Sequence, residues 1–355
     1  MEPILIHTGT SYPVYIGNGI LANVGEAVKR HIPLCTIAQV SDDTVDALYG
    51  AQVADSLRQA GYQVRQFSFP AGEGSKSLST LGALLEFLAE HQLTRSDAVV
   101  ALGGGVTGDL AGFAAAVYLR GIPYVQIPTT LLAAVDSSVG GKTAVDLQAG
   151  KNLAGAFHQP RLVLCDCQTF ATLPENTLLD GVAEGMKAGV LKDPVLFQKF
   201  QTGEYRQDYP AAVSRCVQLK GEIVSRDERD GGERQLLNLG HTVGHGVDAC
   251  SNFQISHGHA VAIGMSIIAR AAAQKGICTP ACAKEIQQAL QNCGLPTHTA
   301  YTSHDIAQAA LHDKKRQGGK ITLVVPERIG LCRLLPIPLE QLEEWIQSGR
   351  KDITT

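Results

Sequence analysis

The chain has 355 residues, of which 45% are hydrophobic and 18% are charged, and its formal net charge is −4. This composition is typical of a folded protein with a large buried core and argues against intrinsic disorder. The near balance of charge argues against a broad basic surface for binding nucleic acid. At roughly 150 residues per domain, the length predicts two domains.

The cysteines and the apolar segments indicate a cytoplasmic protein without a membrane anchor. The nine cysteines are scattered and form no C-x-x-C pair, so we expect reduced thiols and no disulfide framework. Residues 1–10 lack the basic start and apolar run of a signal peptide. The longest apolar stretches, near residues 110–119 and 260–269, are shorter than the roughly 18 residues that a membrane span requires.

Strand-like and helix-like segments alternate in the first half of the chain. Apolar runs predict strands at residues 4–7, 14–16, 35–40, 64–69, 98–102, 124–127 and 162–165. Helical periodicity predicts helices at residues 51–60, 78–91 and from about residue 110. This alternation predicts a parallel sheet with helices on its faces.

The second half is helical from about residue 175 to residue 310, and one late strand follows at residues 321–325. We therefore predict two domains. The first is an α/β nucleotide-binding domain at residues 1–170, and the second is a mostly α-helical domain at residues 171–355.

A glycine-rich turn follows the buried strand at residues 98–102. Gly103, Gly104 and Gly105 lead into a helix, and Asp109 follows one turn later. Glycines allow close approach of a ligand, and a helix N-terminus attracts phosphate, so the turn indicates a phosphate or pyrophosphate site. The dinucleotide fingerprint G-x-G-x-x-G is absent, which leaves a structural tight turn as the alternative. Asp42, after an earlier strand, is a candidate to hold a ribose hydroxyl or to cap a helix.

A second motif, Asp136 to Thr143, resembles a P-loop but lacks a required residue. The P-loop has glycine five residues before its Gly-Lys pair, and this chain has Asp136 there. What remains is Lys142 directly after two glycines, in a segment that begins with Asp136, and Lys151 after a further glycine. Lysines on glycine-rich loops suit phosphate or carboxylate groups, although solvated loop lysines are the plain alternative.

Histidines cluster in the helical half. His241 and His245 are four residues apart, so on a helix they share one face. His257 and His259 follow, and Glu184 lies on an earlier helix. Imidazoles with one carboxylate form a plausible zinc site with an open position for substrate. The spacing leaves open which three residues bind. Lys220, Arg234 and the run at residues 314–316 add positive charge, for which a solvated face is the alternative.

Together these segments closely resemble the 3-dehydroquinate synthase family over nearly the whole chain. The matching stretches are residues 70–76, 103–109, 119–121, 128–130, 136–143, 151–157, 183–187, 234–245 and 257–265. The resemblance implies a nucleotide-binding α/β domain, a mostly helical second domain and a homodimer. It also implies conversion of 3-deoxy-D-arabino-heptulosonate 7-phosphate to 3-dehydroquinate and phosphate, with NAD and Zn²⁺ or Co²⁺ as cofactors.

The resemblance assigns a role to each matched residue. The implied metal ligands are Glu184, His241 and His257, with His245 near the phosphate end of the substrate instead. The implied NAD contacts are Asp42, Glu73, Lys76, Gly104, Gly105, Asp109, Thr129, Thr130, Lys142, Lys151 and Thr172. The implied substrate contacts are Asp136, Lys142, Asn152, Lys187, Lys220, Arg234, Asn238, His245 and one of Lys314 or Lys315. Arg120 resembles an arginine that reaches the substrate of the partner subunit.

In the implied chemistry, NAD oxidises one hydroxyl, phosphate leaves, the hydride returns, and an aldol step closes the ring. His245 and Lys187 are the candidates for assisting proton transfer. The chain departs from the family pattern at Asp146, where many members have Asn, and at His259, where many have Glu. The alternatives are another sugar-phosphate cyclase of the superfamily or a metal-dependent glycerol or alcohol dehydrogenase.

Overall fold

The computed structural model describes residues 2–252, 254–312 and 319–350. Its packing divides the chain into two units, the first formed by Met1–Leu173 with Lys220–Arg229 and the second by Pro174–Leu219 with Asp230–Thr355. The returning segment is bonded into the first unit, because Glu228 accepts hydrogen bonds from Gly9 N and Gln159 Nε2, each at 2.9 Å. The division at residue 170 stays a prediction.

The first unit is built on a seven-stranded sheet in the order β1-β2-β9-β6-β5-β3-β4. Its strands are β1 Ile4–Ile6, β2 Tyr12–Gly17, β3 Thr36–Asp42, β4 Gln63–Phe69, β5 Ala98–Gly103, β6 Tyr124–Pro128 and β9 Leu162–Asp166. Only the edge pair β1–β2 is antiparallel within this sheet. This arrangement confirms the predicted parallel α/β sheet.

Helices cover both faces of this sheet. They are α1 Val24–Lys29, the single turn α2 Asp43–Val45, α3 Ala51–Gln59, α4 Leu78–Glu90 and α5 Gly105–Val117. Successive strand residues point to opposite faces, so Val100 and Leu102 pack with α1 and α3, whereas Val99 and Ala101 pack with α4 and α5. Near-continuous apolar strands are expected where both faces are buried.

A separate antiparallel ribbon corrects one expectation. We predicted that Lys142 and Lys151 lie on glycine-rich loops, but they lie on β7 Lys142–Leu147 and β8 Gly150–Phe157. The two strands pair in register from Lys142 opposite Phe157 to Val145 opposite Ala154. Glycines at residues 140 and 141 precede β7, and glycines at residues 150 and 155 lie in β8. They hid the strand pattern, because glycine is depleted in strands.

The second unit is mainly helical, as predicted. Its helices are α6 Glu175–Lys192, α7 Pro194–Thr202, the first part of α8 Tyr209–Arg226, α9 His241–Cys250, α10 His257–Gln274, α11 Pro280–Asn292, α12 Ser303–His312 and α13 Leu342–Arg350. Residues 260–272 of α10 are all buried, and a helix that is apolar on every side is a core helix. The predicted late strand is one arm of a hairpin, β10 Lys320–Arg328 with β11 Leu331–Pro338.

Two further expectations concern the whole chain. All nine cysteines lie in the described residues and are free of disulfides. Across those residues, no helix combines the length and the apolar character needed to cross a membrane.

Candidate active site

The first cluster of predicted residues follows the carboxyl ends of the sheet strands in the first unit. The chain leaves β3 for the outer strand β4 and then returns past β3 to β5, so the strand order reverses between β3 and β5. In open α/β sheets, ligands bind outside the carboxyl ends of the strands at such a reversal. Asp42 ends β3, and Gly103 ends β5. This edge is therefore the expected cofactor position in the first unit.

The glycine turn after β5 has little free space around its backbone. A Cβ atom at Gly103 would lie 2.4 Å from Thr107 Oγ1, and one at Gly104 would lie 3.0 Å from Thr130 Cγ2. α5 begins immediately afterwards, and no side chain caps its N-terminus. Its first N–H groups and its dipole offer a ready site for an anionic group.

Asp42 has the capping role that the sequence left open. Its Oδ1 accepts a hydrogen bond from Val45 N at 2.9 Å, as an N-cap side chain does. Its Oδ2 accepts a hydrogen bond from Thr107 Oγ1 at 3.4 Å. The cap fixes the carboxylate at the end of β3, beside α5, and its contact with a ribose stays a prediction.

The other predicted cofactor residues of the first unit follow neighbouring strands or join the ribbon. Thr129 and Thr130 come directly after β6, and Thr129 N donates a hydrogen bond to Gly103 O at 3.0 Å. Thr172 ends the short helix after β9 and shares a 2.7 Å hydrogen bond with Tyr49 OH. On the ribbon, Lys151 Nζ lies 3.9 Å from the carboxylate of Glu73, which follows β4.

Lys76 links the carboxyl-end side of the sheet to the ribbon of β7 and β8. The side chain is only 6% exposed, and its Nζ lies 2.6 Å from Asp109 Oδ2 and donates to Asn152 Oδ1 at 2.5 Å. Burial opposes the charged ammonium, but the carboxylates of Asp109 and Glu73 outweigh this effect and raise the pKa of Lys76. Burial raises the pKa of Asp109, although Lys76 counteracts this effect. A predicted cofactor residue and a predicted substrate residue thus contact the same ammonium group.

Asp146, one of the two departures, holds Asn152 in position. Its Oδ1 accepts a hydrogen bond from Asn152 N at 2.7 Å, and its own N donates to Lys76 O at 2.8 Å. Asn152 has a φ of 58°, a left-handed conformation that asparagine tolerates better than most residues. The sequence did not indicate this role, because the three residues meet only after the ribbon has formed.

The remaining predicted substrate residues of the first unit differ in burial. Lys220 is 9% exposed, and its Nζ lies 3.0 Å from Asp136 Oδ1 and donates to the Asp136 carbonyl at 2.7 Å. Lys142 is exposed at the start of β7. Arg120 is exposed with a φ of 69°. Of these residues, the structure brings Asp136 and Lys220 together.

The second cluster lies in the second unit and consists of Glu184, His241 and His257. One ligand atom of each lies within 4.8 Å of the others. Glu184 Oε1 is 3.6 Å from His241 Nε2 and 3.4 Å from His257 Nε2. Two ligands that each bind a tetrahedral zinc ion at about 2.1 Å would be about 3.4 Å apart. Two imidazoles with one carboxylate are a set that catalytic zinc sites use, so the residues fit a divalent metal.

Neighbouring groups contact two of these three side chains, Glu184 and His241. Lys187 Nζ lies 2.5 Å from Glu184 Oε2, whereas the distances of 3.6 and 3.4 Å to the two histidines are from Oε1. The Nδ1 atom of His241 lies 3.2 Å from Leu239 O, which favours a proton on Nδ1 and leaves Nε2 as the ligand atom. Burial, followed by the charge of Lys187, lowers the pKa of His241 well below 6.5. The imidazole is therefore neutral, which is the form that binds metal.

Glycine contacts hold the ligand-bearing helices close together. Gly240 precedes His241 with a φ of 78°, and a Cβ atom there would lie 2.6 Å from Val261 O. A Cβ atom at Gly264 would lie 2.0 Å from Gly240 O, and one at Gly244 would lie 2.9 Å from Ala260 O. These residues carry no titratable side chain, so the sequence did not mark them as functional. The glycines four residues apart, at 240 and 244, were the available signal.

The other predicted residues of the second unit are not among the three candidate metal ligands. His245 is exposed, and its ring centroid is 5.5 Å from that of His241. Arg234 is buried in the short helix Glu233–Asn238, which Asn238 ends. His259 faces Asp180, with Nδ1 and Oδ1 2.9 Å apart. Lys314 and Lys315 lie outside the described residues.

Two family models match consecutive parts of the chain. The model described as 3-dehydroquinate synthase N-terminal matches residues 66–180. The model described as 3-dehydroquinate synthase C-terminal matches residues 181–316. Together they cover residues 66–316, which include every predicted site residue except Asp42.

Individual proteins match over nearly the full length. A 3-dehydroquinate synthase from Latilactobacillus sakei subsp. sakei (strain 23K) is 43% identical over 349 residues, which are 97% of each chain. A solved 2-epi-5-epi-valiolone synthase from Streptomyces hygroscopicus subsp. jinggangensis 5008, with NAD+ and Zn²⁺ bound, is 27% identical. It superposes with a TM-score of 0.87 over 96% of this chain and 97% of that chain.

A solved 2-deoxy-scyllo-inosose synthase is also similar. It is complexed with carbaglucose-6-phosphate, NAD+ and Co²⁺ and is 25% identical, with a TM-score of 0.83 over 98% of this chain and all of that chain. The two structures confirm the fold class, and the identity to the Latilactobacillus enzyme is markedly higher than the identity to either cyclase.

Proposed function

The chain belongs to the 3-dehydroquinate synthase family, and we propose that it converts 3-deoxy-D-arabino-heptulosonate 7-phosphate to 3-dehydroquinate and inorganic phosphate. The observation that carries the proposal is the 43% identity to a 3-dehydroquinate synthase over 97% of both chains. The two other cyclases share only 25% and 27% of their residues with this chain. The enzyme would act in the shikimate pathway of aromatic amino-acid biosynthesis as a carbon–oxygen lyase in the cytoplasm.

The residues present fit both cofactors of the proposal. Glu184, His241 and His257 would hold Zn²⁺ or Co²⁺, which their donor chemistry and spacing suit. The edge at β3 and β5 would hold NAD, with the N-terminus of α5 at its pyrophosphate. When bound, NAD supplies reversible hydride transfer and the metal supplies Lewis acidity toward substrate hydroxyls.

Cationic side chains would bind the two anionic ends of the substrate. The proposed contacts are Lys142, Asn152, Asp136 and Lys220 in the first unit and Lys187, Arg234, Asn238 and His245 in the second, with Lys314 or Lys315. Lysine and arginine donors form charge-assisted hydrogen bonds to carboxylate and phosphate groups. Lys187, Lys220 and Arg234 are buried, so their charges would be weakly screened by salt.

The chain's own residues then have limited acid–base work. A ketone formed beside a C–H bond makes that proton acidic, and loss of phosphate follows. The departing phosphate can accept the proton, so no strong protein base is required. His245 would relay a proton at its exposed imidazole, and Lys187 would hold the Glu184 carboxylate in orientation.

The proposal includes a homodimer in which Arg120 binds the substrate phosphate of the partner subunit. Arg120 is exposed, and its backbone is left-handed, with a φ of 69°. We expect Arg120→Ala to weaken substrate binding about 10-fold or more, as loss of a charged hydrogen bond does, and to leave NAD affinity unchanged. An unchanged KM would contradict this role.

Phosphate release tests the function directly. Purified protein with NAD and Zn²⁺ should release one phosphate per heptulosonate phosphate without net NADH, and the product should be 3-dehydroquinate. A matched control, Glu184→Gln, should release none. Release of phosphate with a different carbocycle would favour another cyclase of the superfamily. Stoichiometric NADH without phosphate would favour a glycerol or alcohol dehydrogenase.

A further inference from the structure

Asp180 of α6 gathers three hydrogen bonds on one carboxylate oxygen. Its Oδ1 accepts from Ser256 Oγ at 2.5 Å, from His259 N at 3.1 Å and from His259 Nδ1 at 2.9 Å. Ser256 Oγ also lies 2.7 Å from His259 Nδ1. Asp180 and His259 are largely buried, with side chains 15% and 19% exposed. The three side chains form a closed cluster, named here the Asp180 cluster.

This cluster caps α10 with a carboxylate from another helix. Ser256 occupies the N-cap position of α10, yet its hydroxyl makes no capping hydrogen bond. An N-cap serine ordinarily accepts from the amide two or three residues later. Here that amide is His259 N, and Asp180 accepts from it while Ser256 donates to Asp180. A carboxylate at a helix N-terminus also complements the helix dipole.

His257 belongs to the helix end that Asp180 caps. His257 is the first residue of α10 and lies between the two residues that bind Asp180. A Cβ atom at Gly258 would lie only 2.3 Å from Asp180 Cα, so the helices touch at this point. Glu184 follows Asp180 by one turn on α6, and its Oε1 is 3.4 Å from His257 Nε2. One helix thus carries a candidate ligand, Glu184, and the carboxylate that caps the helix of a second ligand, His257.

We propose that Asp180, Ser256 and His259 are positioning residues that hold His257 against Glu184 for binding of the divalent metal. The inference rests on the proposed function, because it assumes that Glu184, His241 and His257 bind metal. Partners that orient metal ligands typically change metal affinity about 10- to 100-fold when they are removed.

The test measures Zn²⁺ affinity by competition with a chromophoric chelator and needs no turnover. Asp180→Ala and His259→Ala should each weaken Zn²⁺ binding about 10-fold or more. His259→Asn should restore much of the affinity, since its amide can donate to Asp180 in place of Nδ1. The matched control is Thr279→Ala, which removes an ordinary N-cap of α11, where Thr279 accepts from Cys282 N at 3.2 Å. This control should bind Zn²⁺ as wild type does.

Each result has a definite meaning. Wild-type affinity in both alanine variants, or equal weakening in Thr279→Ala, would overturn the positioning role while leaving the proposed function intact. Failure of the wild-type protein to bind Zn²⁺ would instead overturn the metal part of the proposed function and this inference with it. If Asp180→Ala fails to fold by circular dichroism, Ser256→Ala and the His259 pair decide the question.

Discussion

The two clusters of the candidate site are built by different means. In the first unit, candidate residues such as Asp42, Gly104 and Thr129 follow the ends of parallel strands, and sheet topology alone brings those ends to one edge. In the second unit, Glu184, His241 and His257 come from three helices, and they meet because glycine contacts allow close packing. We therefore expect a change of side-chain packing to disturb the helical cluster more than the cluster at the carboxyl ends of the strands.

The largest effect on stability is expected at the buried ion pair of the first unit. Lys76→Met leaves the Asp109 carboxylate without the ammonium 2.6 Å away. Breaking a buried pair in this way costs about 3–5 kcal/mol, which denaturant unfolding would measure. We also expect NAD affinity to fall.

The control replaces both charges. Lys76→Met with Asp109→Leu removes the uncompensated carboxylate, so most of the lost stability should return while NAD affinity stays low. Equal instability of the single and the double variant would show that the ion pair is not the reason. The edge would then depend on packing as the helical cluster does.

The next largest effect separates the ligands within the second unit. His257→Ala should weaken Zn²⁺ binding by more than about 100-fold, because loss of a ligand exceeds the loss of an outer partner. His245→Ala should keep stoichiometric Zn²⁺ and lose turnover, since His245 lies outside the group of three. Metal analysis of both purified variants distinguishes them. Equal loss of Zn²⁺ in both variants would contradict the assignment of Glu184, His241 and His257 as the ligands.

These two clusters also differ in how far the sequence predicted them. Strand ends such as Asp42 and Gly103 follow from apolar runs and turn residues, which are local signals. Glu184 and His241 are far apart along the chain, so local periodicity left the ligand set open, and only the family resemblance proposed it. The ribbon at residues 142–157 and the cap that Asp180 gives to α10 depend on contacts between distant segments. No local pattern records such contacts.

Smaller effects are expected at two glycines, Gly264 in the helix packing around the second cluster and Gly104 in the turn of the first. Gly264→Ala places a Cβ atom 2.0 Å from Gly240 O, and overpacking of this kind costs about 1–3 kcal/mol. The shift should also weaken Zn²⁺ binding. In Gly104→Ala the new Cβ atom meets only the side chain of Thr130, whose Cγ2 is nearest at 3.0 Å, on a backbone with negative φ. We expect it to change stability by less than about 0.5 kcal/mol and to weaken NAD binding.

Thermal unfolding and two binding titrations check this pair of variants. The comparison predicts opposite patterns, with Zn²⁺ affinity lost in Gly264→Ala and NAD affinity lost in Gly104→Ala. A loss of stability in Gly104→Ala as large as that in Gly264→Ala would contradict it. The glycines of the turn after β5 would then be required for packing and not for the close approach of NAD.

The smallest expected effect is a pH dependence of the metal-free protein that originates in the helical cluster. His241 has a folded-state pKa well below 6.5 because it is buried beside Lys187, whereas in the unfolded chain it titrates near 6.5. The unfolded state therefore binds more protons below that pH, so the contribution to stability is full above pH 6.5 and is lost as the pH falls toward the folded pKa. We expect metal-free protein to lose about 1 kcal/mol of stability between pH 7.5 and pH 5.5 from this residue, measured by urea unfolding.

The control is the metal-free His241→Asn variant. It is needed because burial also lowers the pKa of His31 and His158. If its pH dependence equals that of wild type, His241 is not the source of the acid sensitivity, and the contrast between the two clusters fails on this point.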